Sequence, residues 1–379
     1  MTTAQFVSEH RRQLILIGLI FVIMVVLYGR IDTGRADYQH WDLHQYQMMA
    51  ERSPMPPDDV SRPFAYRILG PYLAGLLPFD LDTSFYIFSL AVSAMLVFLF
   101  YRFLCSLKIE RTAAALAVII FIFNKYFFGF TVWNFYQLND VLSLILILLL
   151  FFSIHRQQWL QYAIFLAVGA ITRETVMIMV PVALIYLVEY GRFKQHILSW
   201  VMASLPGILI FIILRMVIVP AGGDDLWAAF LKYSGKLGSP GPWAGLTLFC
   251  TIPVSLVPIV YFKETIAFFK ERIYLLAYVL LVFVSALFGS NNERLMAPVF
   301  AVFYYLIAVL FMRTTGRIGW LKYLIIAAAF ISSFDFWAGL HPLPDRATMM
   351  KVDLICLGVV TIAVTLSRFL RGGRLHETG

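Results

Sequence analysis

Apolar residues occur in long uninterrupted runs that recur from one end of the chain to the other. A helix needs roughly 18 or more apolar residues to cross a bilayer core, and most of the runs come close to that length. The long runs lie at 14–28, 84–104, 112–128, 138–154, 197–219, 244–262, 273–289, 296–312, 321–339 and 352–369. Two shorter runs, 159–171 and 175–189, predict a short helical hairpin over 159–189. The pattern predicts an all-α, polytopic transmembrane helical bundle of about 11–13 spans, forming a single domain over 1–379.

Composition supports the same class. Hydrophobic residues make up 61% of the chain and charged residues only 14%, whereas a soluble domain usually has about 25% charged residues. A water-soluble enzyme is therefore excluded. The three cysteines lie in or beside apolar runs without metal-ligand spacing, so neither a disulfide nor structural zinc is expected.

Lysine and arginine are concentrated in alternate short loops, which predicts that these loops face the cytoplasm. The residues concerned are Arg11, Arg102, Lys108, Arg156, Arg192, Lys263, Arg272, Arg313, Lys322 and Arg371. Both termini are then cytoplasmic, in a multi-pass protein surrounded by membrane lipids. The bias fits a bacterial inner membrane, although an endoplasmic reticulum protein obeys the same rule. Topology thus explains the net charge of +8, and no nucleic-acid partner is expected.

The longest loop on the opposite, outer side covers 30–83 and contains candidate catalytic acids. Asp42 and Tyr46 are four residues apart, on one face of a predicted interfacial helix. A carboxylate at the membrane surface can accept a proton from an incoming hydroxyl group. A solvated helix without chemistry explains the spacing equally well, and Asp37 is an alternative acid in the same loop. His40 and His44 lack a third ligand, so no metal or other cofactor is assigned, with a divalent metal left open.

Three arginine-containing motifs are also predicted on the outer side. Arg67 begins a short apolar stretch, Arg173-Glu174 separates the two short runs, and Glu293-Arg294 follows the run 273–289. Ionisable groups at such depth are costly unless they are paired or face a polar cavity. Headgroup contact or surface ion pairs are the alternatives for each motif. A further outer set could stack on a sugar or form an aromatic belt: Lys125, Trp133, Asn134, Tyr136, Gln137, Asn139 and Asp140.

Common soluble-enzyme motifs are absent from the sequence. It contains no P-loop, GxSxG, HExxH or GxGxxG in the right context, so nucleotide, serine-hydrolase, zinc-protease and dinucleotide chemistry have no support. Chemistry outside the membrane would then require a pre-activated, membrane-soluble reactant.

With these motifs the chain resembles the multi-spanning glycosyltransferases of the GT-C type, over roughly residues 10–310. Asp42, Tyr46 and Ala50 match a D-x-x-x-Y-x-x-x-A pattern, and 66–74 resembles a YRxLxPxLA stretch. The mid-chain Arg-Glu and the late ERxxxP of 293–298 are similar to motifs of many bacterial members. The resemblance implies an enzyme that transfers a sugar from a polyprenyl-phosphate donor to a glycan, lipid or protein acceptor on the non-cytoplasmic face.

The resemblance also implies roles for individual residues. Asp42, with Asp37 as its alternative, would activate the acceptor hydroxyl, and a single direct displacement would invert the anomeric carbon. Arg173 and Arg294 would neutralise the phosphate leaving group. Glu174 and Glu293 would orient those arginines, and the candidate substrate-binding residues are Tyr46, His44, Arg67, Arg173, Glu174, Glu293 and Arg294.

Two other classes stay open: a lipid-linked saccharide transporter or flippase, and a non-catalytic subunit for envelope-polysaccharide assembly. Convergence of Asp42, Arg173 and Arg294 would favour the enzyme over the subunit.

Overall fold

A computed structural model describes residues 3–34, 42–53, 59–223, 226–287, 289, 291–314 and 319–374. Within these ranges the chain consists of helices, turns and loops, without a strand. The α-helices in chain order are α1 (Thr3–Glu9), α2 (Arg11–Tyr28), α3 (Asp42–Glu51), α4 (Leu69–Gly75), α5 (Leu81–Ser106), α6 (Arg111–Phe123), α7 (Phe130–Trp133), α8 (Leu138–Arg156), α9 (Trp159–Ala170), α10 (Met179–Glu189), α11 (Phe193–Val217), α12 (Leu226–Ser234), α13 (Pro240–Thr247), α14 (Val257–Val260), α15 (Phe262–Lys270), α16 (Ile273–Ala286), α17 (Asn292–Leu295), α18 (Phe300–Thr314), α19 (Gly319–Ser333) and α20 (Arg346–Arg374). A π-helical turn covers Lys125–Gly129, and short 3-10 turns cover Phe64–Tyr66, Phe135–Gln137, Glu174–Ile178, Gly235–Gly238, Phe249–Thr251, Ala297–Val299 and Phe334–Phe336.

Six helices in the described part of the chain are long and apolar enough to cross a membrane. They are Arg11–Tyr28, Leu81–Ser106, Phe135–Arg156, Phe193–Val217, Gly319–Phe336 and Arg346–Phe369. A bent pair, Arg111–Phe123 with Lys125–Trp133, gives a seventh if it counts as one span. The all-α, multi-pass character is thus confirmed, with about half the predicted number of full-length spans. Shorter apolar helices occur at Trp159–Ala170, Ile273–Ala286 and Ala297–Met312.

The apolar run 244–262 is not a continuous helix. It contains α13, a 3-10 turn and α14, which begins with Pro258 in its first turn. Pro253 lies in the break, and a proline has no backbone N–H to donate within a helix. The prediction of a single span over 244–262 is therefore wrong.

The core is built around α6, α8 and α18, whose side chains are buried on nearly all faces. In the α8 span 83% of the residues are buried, whereas the corresponding share is 17% for α2 and α11. The peripheral helices present their apolar side chains outward, as expected of helices in contact with lipid. The helix α9 packs mainly against α11 and α8, whereas α10 packs mainly against α16 and also contacts α11.

The bend of 59° after α6 is the main irregularity of the bundle. Asn124 lies at the bend, and its Oδ1 accepts hydrogen bonds from the backbone N–H groups of Tyr126 and Phe127. Its Nδ2 donates to the carbonyl of Cys250 and to the Tyr304 hydroxyl. Because Asn124 satisfies the backbone groups freed by the break, the chain can turn there inside the bundle. The segment after the bend leads to the start of α8, where the polar site lies.

The two ends of the bundle carry different contacts. At one end Arg111 pairs with Glu9 at 3.1 Å, and the ring nitrogen Nδ1 of His10 lies 2.8 Å from the Tyr101 hydroxyl. At the other end α3 and α4 pack together, α3 contacts the turn that precedes α8, and Arg67 pairs with Glu174 in the turn that precedes α10. The outer-side motifs of the sequence therefore gather at this second end.

Candidate functional site

Asp42 lies in the first turn of α3, where a negative charge is favoured by the helix N-terminus. Its Oδ2 accepts a hydrogen bond from Gln137 Nε2 at 3.0 Å and lies 3.3 Å from Arg294 Nη1. Burial raises the pKa of Asp42, but the charge of Arg294 and the hydrogen bond from Gln137 outweigh this effect. The pKa therefore falls below the ordinary value. Asp42 is an ionised carboxylate at neutral pH.

Asp140, in the first turn of α8, connects Asp42 to the other arginines. Its Oδ1 lies 2.6 Å from Arg173 Nη1, and its Oδ2 lies 3.7 Å from Arg294 Nε. Only 2% of the Asp140 side chain is exposed, so these contacts are little screened by water. Asp42, Arg294, Asp140 and Arg173 therefore form one ionic network.

Arg173 and Glu174 point in different directions although they are adjacent. The backbone at Arg173 is extended, with φ −163° and ψ 138°, and successive side chains of an extended chain lie on opposite sides. Arg173 consequently faces Asp140. Glu174 Oε2 accepts from Arg67 Nε at 3.2 Å, and its Oε1 lies 3.7 Å from Arg215 Nη2. The expectation that Glu174 orients Arg173 is corrected: Glu174 orients Arg67 and Arg215.

Glu293 and Arg294 also separate. Neighbouring residues on a helix lie about 100° apart around its axis. Arg294 faces Asp42 and Asp140, whereas Glu293 Oε1 lies 2.6 Å from Arg346 Nη2 in α20. Glu293 therefore does not orient Arg294, contrary to the expectation. Asn291 does so indirectly, because its Oδ1 accepts from the backbone N–H of Arg294 at 3.2 Å.

Arg67 is held in place through its backbone as well as its side chain. Asn139 Nδ2 donates to the Arg67 carbonyl at 2.8 Å, and Asn139 Oδ1 accepts from the Gly70 N–H at 2.9 Å. A Cβ at Gly70 would lie 2.6 Å from that same oxygen, so the close approach requires glycine. Burial lowers the pKa of Arg67, but the carboxylate of Glu174 outweighs it and the pKa is raised.

The remaining predicted site residues differ in their placement: Tyr46 lies beside Arg67 within the network, whereas His44 does not. Tyr46 is buried and its ring packs edge-on against Phe64, with 5.7 Å between ring centroids. His44 lies on the exposed side of α3. Asp37 and His40 lie outside the described residues. Within the described part of the chain, no group of three or more histidine, cysteine, aspartate or glutamate side chains could hold a metal ion.

A cavity of about 1020 Å³ adjoins the network. Four arginines and one acid contribute to its lining: Arg62, Arg67, Arg173, Arg215 and Glu174. The rest of the lining is mainly apolar and includes Ile178, Trp227, Phe230, Leu281, Val284 and Leu295. Asp42 and Arg294 do not line this cavity. They are connected to it through Asp140 and Arg173. Asp42, Arg173 and Arg294 therefore share one network, but only Arg173 faces the large cavity.

Buried polar atoms without a hydrogen-bond partner are concentrated here. They include Asp140 Oδ2, Arg173 Nε, Arg294 Nε and Glu174 Oε1. Asp140 Oδ1 and Arg173 Nη1 lie 2.6 Å apart and pair with each other. Their ionic contacts lack the alignment of hydrogen bonds, and such buried groups in a native protein call for an explanation. Phosphate oxygens would accept from the arginine nitrogens, whereas the carboxylate oxygens require a donor such as a hydroxyl, an amide N–H or water.

Sequence reasoning missed several members of the network. Arg215 is an arginine inside the run 197–219, which was itself a signal of function. Gln137, Asn139 and Asp140 were grouped with a sugar-stacking set, but they bind Asp42, Arg67 and the arginines instead. From the same set Trp133, Asn134 and Tyr136 are buried in the bundle and Lys125 forms ion pairs elsewhere.

Comparisons with protein-family models, with curated proteins and with solved structures give no match for this chain. The function must therefore be argued from the charge, shape and depth of the site itself.

Proposed function

We propose that this chain is a GT-C-like integral membrane glycosyltransferase that uses a polyprenyl-phosphate sugar as donor. The proposal rests chiefly on one observation. The ionised carboxylate of Asp42 belongs to the same buried network as Arg173 and Arg294, and this network adjoins a mainly apolar cavity whose lining includes four arginines.

The cavity has the two surfaces that an amphiphilic phosphate requires. Arg67 and Arg215 flank Glu174, and Arg62 and Arg173 add positive charge to the lining. Guanidinium groups bind phosphate oxygens with paired donors. The apolar part would hold the start of the prenyl chain. The arginines stabilise the negative charge that develops on the leaving phosphate, where a partly dry site makes fixed charges most effective.

Asp42 receives the acceptor. Both the hydrogen bond from Gln137 and the contact with Arg294 involve Oδ2, and in this proposal Oδ1 accepts from the incoming hydroxyl. The acceptor oxygen bonds to the anomeric carbon as its proton passes to Asp42. The bond from that carbon to the phosphate oxygen breaks, and its electron pair leaves with the polyprenyl phosphate. One displacement inverts the configuration at the anomeric carbon. Because its pKa is lowered, Asp42 is suited to take the proton late in the displacement.

The same proposal fixes the orientation in the membrane. The site faces the non-cytoplasmic side, and α3 and α4 lie at the interface. The basic loop residues at the opposite end then face the cytoplasm together with both termini, as in a bacterial inner membrane.

The test is turnover of a panel of polyprenyl-phosphate sugars by the purified protein in nanodiscs, read as release of free polyprenyl phosphate. We expect Asp42→Asn to lower the rate by about 10²–10⁴-fold, since it removes the base but preserves the shape. Asp59→Asn is the matched control, because Asp59 is a half-exposed acid of the same loop, paired with Arg52 at 3.1 Å. Full activity in Asp42→Asn would refute the assignment of the base.

One observation favours a second candidate, a lipid-linked saccharide transporter. Transporters place charged groups at broken helices near the membrane midplane. Here Lys125, directly after the 59° bend, contacts Asp335 and Asp353 at 2.7 and 2.9 Å. Movement of a fluorescent polyprenyl-phosphate sugar across proteoliposomes without release of polyprenyl phosphate would support the transporter.

A further inference from the structure

A second, smaller cavity of about 110 Å³ lies at the end of the bundle opposite to the arginine-lined site. It lies between α5, α8 and α9. Its polar side chains are Arg102 of α5, Arg156 at the end of α8 and Gln161 in the first turn of α9. We call these three side chains and the apolar residues beneath them the basic groove.

The basic groove changes from polar to apolar over one helical turn. On α5 the apolar residue is Leu99, three positions before Arg102. On α8 Phe152 precedes Arg156 by four positions, and on α9, which runs the other way, Phe165 follows Gln161 by four. Residues three or four apart lie one above the other on a helix. All three helices therefore place their polar group toward the same end and an apolar group about 5 Å deeper.

The arginines are positioned by the groove. The Arg156 guanidinium lies over the Phe152 ring, 5.2 Å from its centroid, which orients an otherwise exposed side chain. Arg102 is half-buried. Among the described residues that line the groove, two are arginines and none is an acid, so the lining is positively charged and suited to an anion. Its apolar floor would be of no use to a free inorganic ion.

We propose that the basic groove binds an anionic phospholipid, with the headgroup phosphate between Arg102 and Arg156 and an acyl chain along Leu99, Leu149 and Phe165. Basic pockets between transmembrane helices are suited to such headgroups. The site is independent of the sugar-transfer proposal, because it lies at the other end of the bundle and involves none of those residues.

The test is lipid retention by the purified full-length protein in detergent, measured by native mass spectrometry with phosphatidylglycerol and with phosphatidylcholine. We expect the wild type to retain phosphatidylglycerol preferentially. Removal of each arginine, in Arg156→Gln and in Arg102→Gln/Arg156→Gln, should weaken retention about fivefold per charge. Arg12→Gln is the matched control, an exposed arginine at the same end but outside the groove. Inorganic phosphate should not displace the lipid.

Equal retention of the two lipids by the wild type would overturn the proposal. So would a loss in Arg12→Gln as large as that in the groove variants, because the effect would then be general surface charge. Size-exclusion profiles and helix content check the fold of each variant. Arg156 is exposed, so Arg156→Gln decides the matter if the double variant does not fold.

Discussion

Two ionic clusters within the described residues lie in the interior of this bundle, and they are built differently. The arginine network comprises two neighbouring sets of ion pairs beside a large cavity: Asp42, Asp140, Arg173 and Arg294 form one, and Glu174 pairs with Arg67 and Arg215 in the other. The lysine cluster joins Lys125 to Asp335 and Asp353, and at most 4% of any of these three side chains is exposed.

The lysine cluster is fully hydrogen-bonded. Lys125 Nζ donates to both oxygens of Asp335, at 2.7 and 2.9 Å. Asp353 Oδ1 accepts from Ser332 at 2.7 Å, and its Oδ2 accepts from the Tyr126 hydroxyl at 3.2 Å. The arginine network, in contrast, contains several buried polar atoms without a partner. Both clusters therefore bury charged groups. Only the arginine network has unsatisfied donors and acceptors beside a cavity, and these suit it to a ligand.

The charge balance differs in the same sense. The arginine network has four arginines against three carboxylates, whereas the lysine cluster has one lysine against two. An anionic ligand would therefore be attracted to the first and repelled by the second.

The comparison predicts a large stability effect at the lysine cluster. Lys125→Met leaves two carboxylates buried without their cation, and we expect the free energy of unfolding to fall by about 3–5 kcal/mol. Unfolding by heat or by denaturing detergent measures it. The triple variant with Asp335→Asn and Asp353→Asn should recover most of the loss. If folded Lys125→Met instead lost ligand binding at full stability, the cluster would belong to the site.

A smaller effect, on binding, is expected at the arginine network. Arg173→Gln removes a charged donor from the cavity wall, and a hydrogen bond to a charged group contributes about 1.5–3 kcal/mol. Affinity for a short polyprenyl phosphate, measured by calorimetry in nanodiscs, should fall roughly 10- to 100-fold. Arg52→Gln, at an exposed pair, is the control. Unchanged affinity in Arg173→Gln would remove this arginine from the ligand site.

The network should also depend on pH in one direction. Burial raises the pKa of Glu174, but the charges of Arg67 and Arg215 outweigh it, so the folded-state pKa lies below the unfolded one. The carboxylate therefore contributes stability above the unfolded pKa, near 4.3. This contribution is lost as the pH falls through the lower folded-state pKa. Thermal melts across the acid range should show a flatter acid limb in Glu174→Gln than in wild type; a steeper limb would contradict the sign.

The smallest effect is expected at a surface pair. Arg111 and Glu9 are 3.1 Å apart and about half exposed, so Arg111→Gln should change the free energy of unfolding by at most about 1 kcal/mol. A loss as large as that of Lys125→Met would show that ionic contact by itself, rather than burial, determines how much an ion pair contributes to stability.

The sequence was most informative about which residues share a side. Hydropathy and the lysine-arginine bias predicted that Asp42, Arg173 and Arg294 lie at the same end of the bundle, and they do. Their link through Asp140 could not be predicted, because it depends on how α8 packs against three distant segments. The lysine cluster was hidden for the same reason, since Lys125 and its partners are more than 200 residues apart.

Local geometry limited the other predictions. Adjacency suggested that each glutamate orients its neighbouring arginine, but an extended backbone at Arg173 and a helical turn at Glu293 direct the members of each pair apart. The predicted number of spans exceeded the number of full-length helices, because an apolar run in the sequence does not show where a short helix within it ends.

Because the backbone at Arg173 is extended, the order of Arg173 and Glu174 determines which partners each side chain contacts. One side of this strand-like step meets a carboxylate, and the other side meets two guanidinium groups. A protein with Glu at 173 and Arg at 174 would have the same composition, net charge and hydropathy profile. In that protein, however, a glutamate would face Asp140 and an arginine would face Arg67 and Arg215, so that like charges would meet. The Arg173-Glu174 dipeptide therefore matches its partners on the two sides of the chain in one order only.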